Sequence, residues 1–415
     1  MMSSLSDRLR ALGVKVGTKN LQPSKPRLQL DHPIDSVLPG NWYPTPQGEV
    51  FTVETRYRKD FRVGNIELKP SSTLKIVAAW AREPQLLNFN LDQFAFIDTE
   101  TTGLSSGAGT LAFLIGVGRF EGDEFRVSQF FLHEPGEELA QLAAVEEFLS
   151  RCEVIVSFNG KSFDLPVIKT RFITNGWSPP LIQAPHLDLL HLARRLWKSR
   201  LPNRALGELE VKILGTKRSE QDVPSWMVSD LYFDYLQTGD ARPLRGVFYH
   251  NEVDIVSLAA LLSHMSNVVA DPLNTPMEYG ADIIAIGKLY ADLGYLDTAA
   301  KIYKRGLNRG DVKGDAYWSA VKQLSLVHKK RGDFQAAMEL WEQAAMNEQI
   351  YAHEELAKTF EHHHKDFSSA LVLTDNALKI LSKTASPLDR MGWIMAFEHR
   401  KNRLEMKIKK LNSQQ

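Results

Sequence analysis

The chain has 415 residues, 43% of them hydrophobic, enough to bury a sizeable core and to form two or three domains. Its 50 Lys and Arg balance 50 Asp and Glu, so bulk charge names no partner and any nucleic-acid surface must be a local basic patch. A single cysteine, Cys152, excludes an intrachain disulfide framework and a cysteine-rich zinc site, and a reducing, cytoplasmic setting is expected.

Residues 1–40 read as a short amphipathic helix followed by a tether, Gln22-Pro23-Ser24-Lys25-Pro26. Asp7 and Arg10 interrupt the leucines of that helix, unlike the apolar core of a signal peptide. No later run is read as reaching the roughly 18 apolar residues of a membrane span, so no membrane association is expected. A small β-rich extension is expected over 41–90, where Val50–Thr55 alternates. The basic cluster Arg56, Arg58, Lys59 and Arg62 beside it reads as a solvated face.

Between 91 and 268 the pattern becomes α/β. Phe94–Asp98, Leu111–Gly118 and Glu124–Leu132 read as three antiparallel strands, followed by a helix over 137–151 and a buried strand over Val154–Phe158. Helices are expected at 165–174, 187–196 and 253–265, which together give a mixed sheet flanked by helices. Asp98 and Glu100 end the first strand two residues apart and so project from one face. Two such carboxylates repel each other and call for a cation between them. Asn159-Gly160 breaks the fourth strand, and Asp164 opens the next helix, where an acid is ordinarily a cap. His250 and Asp254, four apart, share a helical face. Asp188 sits at a helix start, where it suits either the helix dipole or support of a metal ligand. Arg194, Arg195, Lys198 and Arg200 surround Trp197, and read equally as phosphate neutralisation with a stacking ring, as a single-stranded end requires, or as an ordinary helix with a solvated basic face and a buried Trp.

From 281 to 383 the chain is helical, and three segments align on Gly294, Gly332 and Lys365, with Ala299, Ala337 and Ala370 five residues further on. Spacings of 38 and 33 residues lie near the tetratricopeptide period of about 34, and the segments resemble a short, degenerate array of such repeats. The last stretch, 384–415, reads as a basic helix whose Lys401–Lys410 charges form a solvated face.

Asp-x-Glu on a strand, then Asn159-Gly160-x-x-Phe163-Asp164-x-Pro166, then Tyr249-His250-x3-Asp254 resembles, in this order, the DEDD exonuclease superfamily on a ribonuclease H-like fold. Pro185–Trp197, Leu206–Glu210 and the His250-Asn251 form of the last motif are similar to the YprB-type ribonuclease H-like proteins, which also carry C-terminal helical repeats. The resemblance implies a 3'–5' exonuclease acting on single-stranded DNA or RNA ends by a two-metal mechanism. Asp98, Glu100, Asp164 and Asp254 would hold the two ions; hard oxygen donors without cysteine suit magnesium or manganese. His250 would activate water. Members of the superfamily place a His five residues before the last acid or a Tyr four before it; here Tyr249 and His250 exchange those slots. Thr101 and Leu104, and Asn159, Lys161 and Phe163 near Asp164, would touch the substrate. An adaptor that binds nucleic acid through a degenerate site, with repeats that recruit a protein partner, is the alternative.

Overall fold

The computed structural model describes residues 32–103, 107, 109–383 and 388–413. The helix and tether expected at 1–31, and Leu104, lie outside the described residues. Two compact units form: the described residues up to Lys59 with Leu91–Ala184 and Lys217–Ser257, and Asp60–Asn90 with Pro185–Thr216 and the chain from Leu258 onward.

In the first unit a mixed sheet is built from β1 (Gly40–Thr45), β2 (Gly48–Tyr57), β3 (Phe94–Thr101), β4 (Ala112–Glu121), β5 (Glu124–Phe131) and β6 (Val154–Ser157). Their order is β1-β2-β5-β4-β3-β6, with every neighbour antiparallel except β6, which runs parallel to β3. The region expected as a separate extension over 41–90 is thereby divided. β1 and β2 join the sheet because Phe51 and Val53, facing inward, pair with Phe131 and Gln129.

Alternation along the strands gives each face its own core. Ile97, Ile115, Val117 and Phe130 pack under the Glu138–Leu149 and Asp164–Thr174 helices through Leu142, Val145, Phe148, Ile168 and Phe172. On the other face Phe51, Leu114 and Phe131 meet Tyr232 and Tyr235 of the Val228–Thr238 helix and Val247 and Phe248 of the Leu244–Ala270 helix. Gly116 and Gly118 let that last helix approach β4. A Cβ on Gly116 would lie 2.2 Å from Asn251 Oδ1 and 2.3 Å from Ile255 Cδ1. The Leu244–Ala270 helix is also long and apolar enough, by length and composition, to cross a membrane, contrary to the reading that no run reaches that length. Of its most apolar stretch, with mean hydropathy 1.5, 72% is buried, as in a core helix.

The second unit holds three successive helical hairpins, Gly280–Asp292 with Leu296–Leu307, Gly314–Lys330 with Phe334–Met346, and Ile350–Thr359 with Phe367–Lys383. Gly294, Gly332 and Lys365 all take the left-handed conformation between paired helices, which is costly only for the lysine. Ala299, Ala337 and Ala370 are fully buried, where a larger side chain would hold the helices apart. The Leu388–Asn412 helix does not carry a merely solvated basic face. Arg400, Arg403 and Lys407 converge on the buried Glu361 at 2.7–3.0 Å, and Lys401 pairs with Asp375 at 2.8 Å.

Candidate active site

Asp98 sits on β3 opposite Gly116 of β4, which in turn faces Gln129 of β5. The absent side chain at Gly116 leaves room for Asn251, which reaches from the Leu244–Ala270 helix to the strand. Asn251 Nδ2 donates to Asp98 Oδ2 at 2.8 Å and to the Asp98 carbonyl at 3.2 Å. Gln129 fixes the amide in turn, donating to Asn251 Oδ1 at 3.0 Å and to the Phe248 carbonyl at 2.8 Å.

Asp164 begins its helix one position inside the cap, which is Phe163, so the capping role expected of an acid there is not the one it performs. Its Oδ1 accepts instead from the backbone N–H of Thr99 at 3.1 Å and from Thr99 Oγ1 at 2.6 Å. A Cβ on Gly160 would come within 2.5 Å of Ser157 Oγ and 3.1 Å of Asp164 Oδ2, so the Asn-Gly turn can approach the carboxylate only with glycine there. Asn159 adopts the left-handed conformation that completes the turn.

Asp98, Glu100, Asp164 and Asp254 act on one another electrostatically. Burial pushes Asp98 well above the ordinary carboxylate range, and Asp254, Asp164 and Glu100 push it further. Glu100 is raised to about 8, by burial and then by Asp254 and Asp164, with Arg218 pulling the other way. Asp164 is raised to about 6, because burial outweighs the hydrogen bonds from Thr99. Among the described residues no three His, Cys, Asp or Glu side chains stand at the spacing of a metal-ligand group. The positive charge beside these acids comes from Arg218, whose Nη2 pairs with Asp254 Oδ1. The donors are all carboxylate oxygens, the type that hard divalent cations take.

His250 is brought to this cluster, with Nε2 3.7 Å from Asp254 Oδ2. Its Nδ1 lies 2.7 Å from Asp222 Oδ1 and 3.1 Å from Arg218 Nη1, and Ser225 Oγ lies 3.3 Å from Nε2. With a proton on Nδ1 toward Asp222, Nε2 is the basic nitrogen. Tyr249 is turned to a different partner: its hydroxyl accepts from the Ser219 backbone N–H at 2.9 Å.

The remaining residues singled out from sequence are dispersed. Thr101 is half-buried and donates to the Gly103 carbonyl at 2.8 Å; Asn159 and Lys161 are exposed and Phe163 half-buried. The Arg/Trp segment, in the second unit, is not an open phosphate-and-stacking surface. Trp197 is only 3% exposed and stacks on His264, Arg195 pairs with Asp292, and Arg200 binds both oxygens of Asp282 at 2.8–3.0 Å. Arg194 and Lys198 face solvent. Asp188 caps its helix, accepting from Leu190 N–H at 3.1 Å.

Sequence reasoning assigns no role to Thr99, Gln129, Asn251, Asp222 or Arg218. Asn251 follows His250 in the last motif and Thr99 stands between Asp98 and Glu100, but Gln129, Asp222 and Arg218 lie on other segments and meet the site only through folding. A family model described as the RNase_H superfamily matches residues 95–266. "Uncharacterized protein YprB" of Bacillus subtilis (strain 168) is 36% identical over 297 residues, covering 70% of this chain and 70% of that protein.

Proposed function

Because the chain belongs to the RNase_H superfamily, whose nuclease members support a nucleic-acid-cleaving role, we propose that it is a metal-dependent 3'–5' exonuclease acting on single-stranded DNA or RNA ends. The observation that carries this is the electrostatic coupling of Asp98 with Glu100, Asp164 and Asp254, with the proton affinity of Asp98, Glu100 and Asp164 raised by burial and by neighbouring carboxylates. Asp98, Glu100, Asp164 and Asp254 would hold two magnesium or manganese ions, which when bound supply charge neutralisation at the phosphodiester.

The chain's own residues do the rest. Asn251 and Gln129 fix the Asp98 carboxylate, and Thr99 fixes Asp164, so neither has to be ordered when substrate arrives. His250 Nε2 is the base that takes a proton from the attacking water, with Asp222 holding the ring and stabilising the imidazolium that forms. Thr101, next to Glu100 on β3, and Asn159, Lys161 and Phe163, in the turn before Asp164, would steer the terminal nucleotide. Arg218, paired with Asp254 Oδ1, would compete with a metal ion for that oxygen.

That Arg218 pairing, together with the lack of a grouped metal-ligand set among the described residues, favours an adaptor with a silent site. Digestion of 5'-labelled and 3'-labelled single-stranded DNA and RNA separates the two. Magnesium-dependent shortening from the 3' end, abolished by Asp98→Ala in a protein of unchanged circular dichroism, is expected. Binding without turnover on either polymer would establish the adaptor.

A further inference from the structure

The repeat unit carries a cationic cavity of about 320 Å³, lined by Lys329, Lys358, His362, His363, Arg400 and Arg403, with the Phe334 ring at its rim. The helical hairpins and the C-terminal helix both contribute to it. The local charge does not cancel. Arg400, Arg403 and Lys407 share the single carboxylate of Glu361, whose pairing holds its pKa at about 2, so it stays ionised. Lys329 and Lys358 are met by Glu355, and Lys358 also by Glu354. The four lining cations, with Lys407 beside Glu361, therefore meet three carboxylates. Phe334 is 42% exposed and lies 5.4 Å from the His363 ring, which is exposed as well. An exposed phenyl ring and an imidazole beside a surplus of positive charge are the two components that single-stranded nucleic acid requires, stacking for the base and neutralisation for the phosphate.

We infer that this cavity is a binding site for single-stranded nucleic acid, taking a backbone phosphate among Lys329, Lys358 and Arg403 and stacking a base on Phe334. The choice of a nucleic-acid ligand over another polyanion rests on the nuclease reading of the sheet unit. An anion without an aromatic ring, such as a glutamate-rich peptide, would satisfy the cations and leave the aromatic pair unused.

The test uses the full chain carrying Asp98→Ala, so that the strand survives, and fluorescein-labelled 12-mers of DNA and RNA followed by anisotropy at several potassium chloride concentrations. Lys329→Gln with Arg403→Gln leaves every buried acid a partner, since Glu355 keeps Lys358 and Glu361 keeps Arg400 and Lys407. This pair should weaken binding by roughly tenfold or more and flatten the log–log salt slope by about 0.7, the share of one phosphate on a single strand. Phe334→Ala, at an exposed ring, should weaken binding by roughly tenfold without changing that slope. Unchanged affinity and slope in the double variant would overturn the assignment, as would a poly-glutamate peptide competing as well as unlabelled oligonucleotide. If binding follows the cavity while Asp98→Ala leaves digestion intact, the nuclease reading falls and the cavity stands. If digestion needs Asp98 while the cavity variants bind as the parent does, the cavity alone falls.

Discussion

His250 is held at Nδ1 by Asp222 at 2.7 Å and turns Nε2 toward Asp254, 3.7 Å away, whereas the Tyr249 hydroxyl is taken by the Ser219 backbone. His250→Ala should therefore lower kcat by about 10²-fold or more, and Tyr249→Phe by much less. Single-turnover digestion of a labelled strand reads both, and a larger loss from the tyrosine variant would reverse the assignment. Much of this site was legible at the level of residue type. The two-residue spacing in Asp98-Thr99-Glu100 and the four-residue spacing of His250 and Asp254 are local periodicities, which any strand or helix imposes. Arg218, Thr99 and Gln129 were not legible. A guanidinium from 36 residues upstream that settles on Asp254 leaves no periodic signature, and neither does a threonine whose partner is 65 residues away. The Arg/Trp segment shows the converse error: clustered charge and an aromatic look alike in sequence whether they meet a ligand or, as at Arg200 and Asp282, an acid of their own unit.

At the scale of elements, the site depends on how closely the Leu244–Ala270 helix lies on β4. Gly116→Ala would drive a methyl group against Asn251 Oδ1 and Ile255, moving the helix or the amide that holds Asp98. Such overpacking should destabilise the protein by about 1–3 kcal/mol, measured by urea unfolding, with nuclease activity lost even where the protein remains folded. Glycine at this position does not announce itself in the sequence, where Ile115-Gly116-Val117-Gly118 reads as a buried strand. The hairpins of the second unit were easier to read. Their turns recur at Gly294, Gly332 and Lys365, and the third shows that the backbone conformation persists even where a lysine must adopt it. Glu361 also acts at this scale, tying the last helix to the third hairpin. Its pKa falls from 4.5 to about 2, chiefly through Arg403 and Lys407 against the opposing effect of burial. A depressed pKa contributes stability above the unfolded value that is lost as pH drops through the folded one. Helical circular dichroism under urea should therefore show stability falling between about pH 4.5 and pH 2, a component missing from Glu361→Gln.

Across the whole molecule, equal numbers of acidic and basic residues conceal strong local imbalance: a carboxylate cluster in the sheet unit and a cationic cavity in the helical one. The linear order of the chain gives a poor guide to these units. Asp60–Asn90 and Pro185–Thr216 gather with the C-terminal helices although they lie between segments of the sheet unit, an arrangement set by non-local packing and not by composition. The α/β character of the middle of the chain and the helical character of its end follow from hydrophobic periodicity, and both are present in the structure. Asp98, Glu100, Asp164 and Asp254 are proposed to form one divalent-cation centre. Manganese titration of the purified chain, followed by calorimetry and by the paramagnetic resonance signal of the free ion, measures it directly. Two ions per chain for the parent protein, and loss of that binding in Asp98→Ala with an unchanged fold, are expected. Manganese binding that is absent, or that survives Asp98→Ala undiminished, would contradict it.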